Sequence, residues 1–398
     1  FGPRGRTPQG VASAGRAASG SEAGSNGDGP ASGHLEWKPG QQLDQSRYEL
    51  RSQLGEGTFG RVLFAMDHKN KRHVAIKVIR NVEQYRENAE IESDILKDVR
   101  RADPHDKSRC VVLYDTFVHD RSFFCLVFEP LGMSLYDMLR TNYFRGLWVQ
   151  DLQSVARQSI EALDFLHTRM NLTHTDLKPE NIMFQSMAQP RSAPFPREDW
   201  WQDQNHGKKT AQPVDDWTYV RPPTSSIKLI DFGNAVYKDE HHDPTINTRQ
   251  YRGPEVVLEL GWNEKSDIWS LGCILMEMYT GELLFGTHED LEHLALMEKV
   301  VQPLPNHLLQ NVTREVRDKY VTSACEAARR WRLRWPEGAP DPSSRQYVEG
   351  RAPLRAMVLP RHVPFASFVE HLLVPDPARR LSATDALREP FLTAYFDD

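Results

Sequence analysis

The sequence predicts an α+β fold of two lobes, in which a small β-rich lobe with one main helix precedes a larger lobe that is mainly helical. Strand-like segments separated by turns follow one another from Tyr48 to Phe128, with a single helical stretch between them. After Gly132, apolar side chains recur at helical spacing, as at Leu152, Val155, Ile160, Leu163 and Leu166. With 398 residues, 39% of them hydrophobic, the chain is long enough to bury a sizeable core in each lobe.

The small lobe is expected to span residues 47–131. Its predicted elements are, in chain order, a strand, glycine turn and strand over 48–64, a strand at 73–79, a helix over 83–99, and strands at 111–114 and 123–128. These elements give a small, mostly β lobe with one helix.

The large lobe is expected to cover residues 132–398. Residues 185–226 interrupt its helical pattern and are rich in Pro, Asp, Gln and Trp. Because structureless loops of about 40 residues are uncommon inside a compact domain, we interpret this segment as an insertion. The most apolar stretch, Ile268 to Tyr279, is short and contains Ser270 and Glu277, so we expect a buried helix and no membrane association.

The N-terminal segment differs in composition from the rest of the chain. Residues 1–34 are mainly Gly, Ala, Ser, Pro and Arg, and such a segment cannot offset the entropy lost on ordering. We therefore predict a disordered low-complexity tail and extend it to residue 46, just before the first strand. Because the chain begins at Phe1 and not at Met, we expect a fragment or a processed form.

Net charge and cysteine spacing restrict the class of protein further. The formal net charge of -6 argues against a binder of polyanions, so we expect no direct binding of nucleic acid. The four cysteines show no paired spacing, which favours reduced thiols in an intracellular protein.

A glycine-rich turn and a following lysine indicate a phosphate site. Gly55-x-Gly57-x-x-Gly60 alone is compatible with an ordinary hairpin or with a dinucleotide fold. Here a second strand follows, not a helix, and Val62 stands two residues after the last glycine, which favours a flap over ATP phosphates. Lys77, in a strand about 15 residues on, can reach the α and β phosphates. Glu87, Glu90 and Glu92 are candidates to pair with Lys77, and the i, i+4 spacing of Glu92 and Leu96 on one helix face favours Glu92.

A second group of residues supplies the chemistry. The run from His174 to Asn181 contains Asp176 as a base for a substrate hydroxyl and Lys178 as a cation for the transferred phosphoryl group. Asn181, together with Asp231 of Asp231-Phe232-Gly233, offers the oxygen ligands that Mg²⁺ prefers. The combination predicts phosphoryl transfer from ATP with Mg²⁺. The alternative is a catalytically silent scaffold, which the presence of every chemical residue disfavours.

These motifs resemble those of eukaryotic protein kinases, over about residues 47–396. Thr248 to Glu255 looks like the end of an activation segment, and Asp267 to Gly272 resembles the start of the buried central helix. Arg380 matches the arginine that pairs with the residue at the Glu255 position. The resemblance implies a bilobal protein-kinase fold.

The branch of the family is indicated by Glu292 to Lys299, Glu-His-Leu-Ala-Leu-Met-Glu-Lys, which is very similar to the EHLAMMER signature of the LAMMER, or CDC-like (CLK), kinases of the CMGC group. The His-Thr-Asp catalytic loop, Asp239 to His242 and the insertion at 185–226 agree with this branch. Arg334 to Glu337 resembles its late insert, expected at about 313–360. SR-protein-specific and DYRK kinases are disfavoured by the signature, although Leu296, Lys299 and Gly253 depart from the usual pattern.

The resemblance implies a nucleotide site with the adenine held by the Glu129 carbonyl and the Leu131 N–H, and with Phe128 as a bulky gatekeeper. The expected nucleotide-binding residues are Gly55, Glu56, Gly57, Thr58, Phe59, Gly60, Val62, Ala75, Lys77, Phe128, Glu129, Leu131 and Ser134. The expected catalytic residues are Asp176, Lys178, Lys77 and Glu92, and the expected metal ligands are Asn181 and Asp231.

The resemblance also implies what the enzyme acts on. We expect transfer to Ser and Thr of Arg/Ser-rich nuclear proteins such as splicing factors, with autophosphorylation on Ser, Thr and Tyr. A kinetochore or cell-cycle role stays open as an alternative. The expected location is the nucleus, and also the cytoplasm, and the expected state is a monomer. Thr175 replaces the arginine that usually grips a phosphorylated activation loop, so we expect activity without such phosphorylation by another kinase.

Overall fold

The computed structural model of the protein describes residues 33–205, 218–325 and 327–397, and within these ranges it has the two predicted lobes. From His34 onward the described chain forms one compact unit. Residues 1–32 of the predicted tail and 206–217 of the predicted insertion lie outside the described residues.

The small lobe is a six-stranded antiparallel sheet with the order β1-β2-β3-β4-β6-β5 and one long helix. Its strands are β1 Gln42–Leu43, β2 Tyr48–Gly57, β3 Gly60–Asp67, β4 Arg72–Ile79, β5 Leu113–His119 and β6 Phe123–Phe128, and its helix is α1 Glu83–Ala102. The predicted strand at 111–114 is displaced, because Val111 and Val112 bond to Leu229 and Glu129 before pairing with β6 begins at Leu113.

The two faces of this sheet pack against different cores. Val62, Lys77 and Leu126 stand opposite one another across β3, β4 and β6, so their side chains share one face. That face also carries Ala75 and Phe128, and it is turned to α1 and to the main core. The alternate residues of β4 belong to a separate core on the other face. The two-residue period of a strand thus places Lys77 on the side where α1 lies.

The lobe begins earlier than residue 47, and the predicted tail boundary is corrected here. Leu35 is buried and Trp37 packs against the outer core of the sheet, while β1 pairs with β2. The side chain of Arg61 also donates to the Leu35 carbonyl at 2.8 Å. Three apolar residues, Leu35, Trp37 and Leu43, in an otherwise polar segment gave no periodic signal, which is why the sequence placed residues 34–46 in the tail.

The large lobe is mainly helical. Its helices are α2 Leu135–Thr141, α3 Val149–Asp164, α4 Glu198–Asn205, α5 Pro254–Val257, α6 Lys265–Thr280, α7 Asp290–Val300, α8 Asn306–Asn311, α9 Arg314–Tyr320, α10 Pro342–Gly350, α11 Val363–Leu372 and α12 Ala383–Ala386. Its short strands are β7 Leu172–Thr173, β8 Ile182–Phe184, β9 Arg191–Ser192, β10 Val220–Arg221, β11 Ile227–Leu229, β12 Val236–Tyr237, β13 Val321–Cys325 and β14 Arg330–Leu333. We propose to keep the lobe boundary at 131/132, between β6 and α2.

The apolar stretch at 268–279 lies in α6, which is buried along nearly its whole length. No helix in the described ranges is both long enough and apolar enough to cross a membrane.

The described part of the segment 185–226 packs on the large lobe. β9 and β10 pair antiparallel, and Phe195, Trp201 and Tyr219 form a small core of their own. The Tyr219 hydroxyl donates to the Gly146 carbonyl at 3.0 Å, and Arg221 makes two hydrogen bonds to Asp151, at 2.8 and 2.9 Å. These contacts support our proposal that the segment is an insertion with its own structure.

The signature helix α7 connects the lobe to the proposed late insert. Glu292 accepts hydrogen bonds from Thr287 at 2.5 Å and from Ser344 of α10. His293 is fully buried beside the Phe285 ring, and burial lowers its pKa to about 3, so the ring is neutral. The signature residues of this helix therefore have packing roles.

A buried ion pair closes the large lobe, as the resemblance predicted. Arg380 donates to both carboxylate oxygens of Glu255, at 2.7 and 2.8 Å, and both side chains are almost fully buried. An added Cβ on Gly253 would lie 2.6 Å from the Glu255 carboxylate. The usual alanine at this position would therefore require the Glu255 carboxylate to shift from the position it has in this structure.

We predict that Arg380→Ala lowers the free energy of unfolding by about 3–5 kcal/mol, because it leaves the Glu255 carboxylate buried without its partner. The control is Arg379→Ala, an exposed neighbour, which should change stability by about 0.5 kcal/mol or less. Urea unfolding measures both variants. Equal stability of the two would show that the pair does not hold this part of the lobe.

Candidate active site

A cleft of about 790 Å³ lies between the lobes, within the size range of small-molecule sites. Its wall includes nearly all residues expected to bind the nucleotide, namely Gly55, Glu56, Gly57, Phe59, Gly60, Val62, Ala75, Lys77, Phe128, Glu129, Leu131 and Ser134. Glu92 and Asp231 also line it. Thr58 is not among its lining residues, and its carbonyl accepts a hydrogen bond from Arg80 at 3.2 Å.

The glycines of the β2–β3 turn differ in what surrounds them. An added Cβ on Gly60 would lie 2.1 Å from the Val78 carbonyl oxygen, so packing alone requires glycine there. At Gly55 and Gly57 an added Cβ would meet no atom within 4 Å. Because the fold itself tolerates side chains at these two positions, glycine there fits a ligand that approaches the backbone, as phosphate oxygens do.

Lys77 stands between two carboxylates. Its Nζ lies 2.8 Å from Glu92 Oε2 and 3.7 Å from Asp231 Oδ1. Burial disfavours the charged amine, but the two carboxylates outweigh burial and raise the pKa of Lys77. Of the three glutamates considered from the sequence, Glu92 is the one that pairs with Lys77, whereas Glu90 pairs with Arg86 on the helix surface.

The segment that joins the lobes is held in place by the side chain of Glu129. The Glu129 carboxylate accepts from the Val112 N–H at 2.9 Å and lies 3.0 Å from Nζ of the buried Lys228. Its side chain thus points away from the adenine position, which leaves only its backbone for the expected contact. The Ser134 hydroxyl caps α2: it accepts a hydrogen bond from the Asp137 N–H and donates one to the Asp137 carboxylate. A hydrogen bond from this hydroxyl to the nucleotide, as predicted from the sequence, would compete with the cap.

The expected base Asp176 is surrounded by donors. Lys178 Nζ lies 2.6 Å from its Oδ2, and the Thr248 hydroxyl donates to its Oδ1 at 2.8 Å. Burial disfavours the charged form of Lys178, but the Asp176 carboxylate raises the pKa of this amine. Asp176 is therefore positioned by the Lys178 cation on one side and by Thr248 on the other. Thr248 lies near the end of the activation segment, the stretch from Asp231 to Glu255.

The backbone around Asp176 is fixed by Asp267 at the start of α6. This fully buried carboxylate accepts from the N–H of His174 at 2.8 Å and of Thr175 at 2.9 Å. His174 is buried and its Nε2 lies 3.0 Å from the Ile230 carbonyl, which agrees with a structural role. The sequence identified Asp267 only as a helix start, because nothing in its spacing indicates which backbone it holds.

Asn181 and Asp231 fit the metal chemistry expected of them. Asn181 Nδ2 donates to the Asp176 carbonyl at 2.9 Å, an arrangement that orients the amide and leaves its oxygen available as a ligand. Asp231 has φ +65°, a left-handed conformation that costs a non-glycine residue about 1 kcal/mol or more and that often marks functional sites. A carboxylate and an amide oxygen are the hard ligands a divalent cation takes beside nucleotide phosphates.

The activation segment is anchored near the base by its own side chains. Asn247, at φ +63°, donates through its N–H and its side-chain amide to the Thr175 carbonyl, at 3.0 and 2.8 Å. Arg252 donates to the Ile246 and Asn247 carbonyls, both at 2.9 Å. The hydroxyl of the buried Tyr251 donates to Glu277 at 2.7 Å. The sequence did not identify this anchoring, since each bond depends on the turn taken by the chain.

Comparison with known proteins places this site in a family. Residues 48–392 match the protein kinase domain. The serine/threonine-protein kinase AFC1 of Arabidopsis thaliana is 40% identical over 91% of this chain and 74% of its own length. The dual specificity protein kinase CLK1 of Mus musculus is 39% identical over 90% of this chain and 68% of its own. The crystal structure of a kinase domain superposes with a TM-score of 0.78 at 38% identity, covering 90% of this chain and 98% of that one.

The chain therefore belongs to the protein kinase family, and within it to the LAMMER, or CDC-like, branch of the CMGC group. It is a protein serine/threonine kinase of the dual-specificity type, and like its family it uses ATP with a divalent metal.

We predict a pH-dependent contribution to stability from Glu277 beneath the activation segment. Burial raises the pKa of Glu277 to about 7, so its carboxyl binds a proton in the folded state that an unfolded Glu loses near pH 4.5. This contribution is fully present below pH 4.5 and is lost as the pH rises through 7. The difference between pH 4.5 and pH 8 is at most about 3 kcal/mol.

The variant Glu277→Gln cannot titrate, so its unfolding free energy should fall less than that of the wild type between pH 5 and pH 8. The exposed Glu289→Gln is the control and should follow the wild type. Chemical unfolding at several pH values measures all three. Parallel curves for the wild type and Glu277→Gln would contradict the shifted pKa.

Proposed function

We propose that this kinase uses Mg²⁺ and ATP to phosphorylate Ser and Thr in Arg/Ser-rich nuclear proteins, such as splicing factors, with Tyr modified by autophosphorylation. The observation that carries the catalytic part is the pairing of Lys77 with Glu92 and Asp231, opposite an Asp176 held by Lys178 and Thr248. A scaffold has no need of this arrangement.

The proposed roles follow from charge and position. Lys77, kept cationic by Glu92, binds the α and β phosphates, and the backbone at Gly55 and Gly57 approaches the phosphate oxygens. Asn181 and Asp231 would hold the metal, which when bound neutralises charge on the phosphates. Asp176 accepts the proton of the substrate hydroxyl, and Lys178 lies beside it to stabilise charge on the transferred group.

The substrate class is supported by an acidic side chain in the cleft wall. Glu180 is exposed, lines the cleft and follows Lys178 by two residues. Its carboxylate forms no hydrogen bond or ion pair with another residue in the described ranges. A carboxylate without a partner beside the reacting group favours a substrate that carries arginine near its phosphorylated residue. The nuclear location and the Arg/Ser class are proposed from the resemblance to the LAMMER branch, and this carboxylate supports the Arg/Ser class alone.

We predict that Asp176→Ala, Lys77→Met and Asp231→Asn each lower kcat at least about a hundredfold while the fold stays intact, because each removes a charge that acts in the transition state. The exposed Lys69→Met and Asp94→Asn are the matched controls and should keep wild-type rates. The measurement is transfer from ATP/Mg²⁺, with thermal unfolding to check the fold. An Asp231→Asn enzyme with wild-type turnover would overturn the metal assignment, and no Asp176-dependent transfer to any substrate would favour a scaffold.

The substrate proposal is tested with Glu180→Gln on an Arg-Ser repeat peptide and on a Pro-directed peptide without arginine. Loss of one exposed charge interaction of about 1 kcal/mol should raise KM for the Arg-Ser peptide about fivefold and leave kcat and KM for ATP unchanged. KM for the other peptide should not change. An equal change for both peptides, or a wild-type preference for the Pro-directed peptide, would remove the Arg/Ser assignment and favour another nuclear role, such as a kinetochore or cell-cycle one.

A further inference from the structure

The activation segment contacts α1 through Tyr237. The Tyr237 hydroxyl donates to Asp98 Oδ2 at 3.0 Å, across 139 positions of sequence. Asp98 lies on α1, six residues or about 9 Å along the helix from Glu92. The helix that presents Glu92 to Lys77 is thus bound at a second point by the segment that begins with Asp231.

Tyr237 is itself firmly placed. It ends β12, which pairs antiparallel with β7, with Tyr237 opposite Leu172 and Val236 opposite Thr173. β7 leads directly into His174, so the backbone of Tyr237 is tied to the catalytic loop. The half-buried ring also packs against the main core. Its hydroxyl therefore presents a fixed point of the large lobe to α1.

The environment of the bond favours the neutral, donating phenol. Burial raises the pKa of Tyr237, and the hydrogen bond to Asp98 raises it further. The other carboxylate oxygen of Asp98 pairs with Arg101, which is mostly exposed. Both oxygens of Asp98 thus have partners, of which Tyr237 is the one from the large lobe.

Helix α1 packs on the main core through its apolar face, but its N-terminal end is less firmly held. Its N-terminal boundary residue Val82 provides no side-chain cap, and the first turn at 83–87 is largely exposed. Other bonds of the activation segment, made by Asn247, Arg249 and Tyr251, hold it to the large lobe and not to α1. Thr175, in place of an arginine, bonds to the Asn234 carbonyl at 2.6 Å.

We propose that Tyr237 is a positioning residue that keeps α1 in the orientation in which Glu92 pairs with Lys77, through its hydrogen bond to Asp98. The proposal rests on the kinase activity of the family and not on the substrate class, so the two can fail separately. Losing a hydrogen bond to a charged group shifts the equilibrium between engaged and displaced α1 by about tenfold.

The test is Tyr237→Phe, which removes one oxygen and keeps the packed ring. We expect kcat/KM for any peptide to fall about tenfold, with faster amide hydrogen exchange in residues 83–102 and an unchanged melting temperature. Asp98→Ala also removes the exposed pair with Arg101, which contributes little, so it should cause nearly the same loss. The double variant should show no further loss, since both single variants remove the bond between Tyr237 and Asp98. Asp98→Asn keeps an acceptor and should restore most of the activity.

The matched controls are Tyr395→Phe, at an exposed tyrosine, and Asp94→Ala, one turn from Asp98 on the exposed face of α1; both should behave as wild type. Wild-type rates and exchange in Tyr237→Phe would overturn the proposal, and so would additive losses in the double variant. A third overturning result is a loss of activity in phosphatase-treated wild type equal to that of Tyr237→Phe, because a phosphate on Tyr237 would then explain the effect.

Discussion

The buried carboxylate of Asp267 is the constraint on which the catalytic loop depends. It accepts two consecutive backbone N–H groups, of His174 and Thr175, and lies 2.9 Å from His167 Nε2. A charge taken out of water is costly unless donors surround it, so the loop can bury Asp267 only by presenting these groups to it. Thr175 reaches this arrangement at φ +65°, a strained conformation for a β-branched residue. The next residue is Asp176, whose position is thereby set by a helix of the large lobe.

The second organising feature is the alternation of charge across the cleft. Glu92, Lys77 and Asp231 form a row of anion, cation and anion that joins α1, β4 and the start of the activation segment. Asp176 and Lys178 add a second pair on the large lobe. Because Lys77 on β4 contacts groups on two other elements, a shift of any of the three weakens these contacts. The position of α1 is therefore part of the active site even though most of the helix lies outside the cleft.

The sequence was most informative where the chemistry admits few residue types at fixed spacing. Lys77, Asp176, Asn181 and Asp231 lie in short motifs. The structure places Lys77 and Asp231 in the cleft wall, and it joins Asn181 to Asp176 by a hydrogen bond outside that wall. The directions of side chains were harder to predict from the sequence. Ser134 and Thr58 were both expected to contact the nucleotide, but the hydroxyl of Ser134 caps a helix and Thr58 lies outside the cleft wall. A motif restricts which residue is present, whereas the contact it makes depends on backbone conformation.

Contacts between distant positions were not predictable from one sequence. Lys228 supports Glu129 from 99 residues away, and Tyr237 reaches Asp98 from 139. Nothing local distinguishes these side chains from ordinary exposed charges or from a tyrosine of the core. The predicted N-terminal boundary of the small lobe was wrong for a related reason. Leu35 packs on a sheet face built from several strands, and a few isolated apolar residues carry no period.

The conformation of the activation segment is stabilised without the arginine that Thr175 replaces. A phosphate on the segment would find no guanidinium at that position to bind it. The contacts that are present use unmodified groups: Asn247 on the Thr175 carbonyl, Thr248 on Asp176, and Tyr251 on Glu277. Two of these act on the catalytic loop itself, so the conformation of the segment helps to orient the base. Because these bonds lie in a partly or fully buried setting where water competes poorly, the side chains of the segment stabilise its conformation directly.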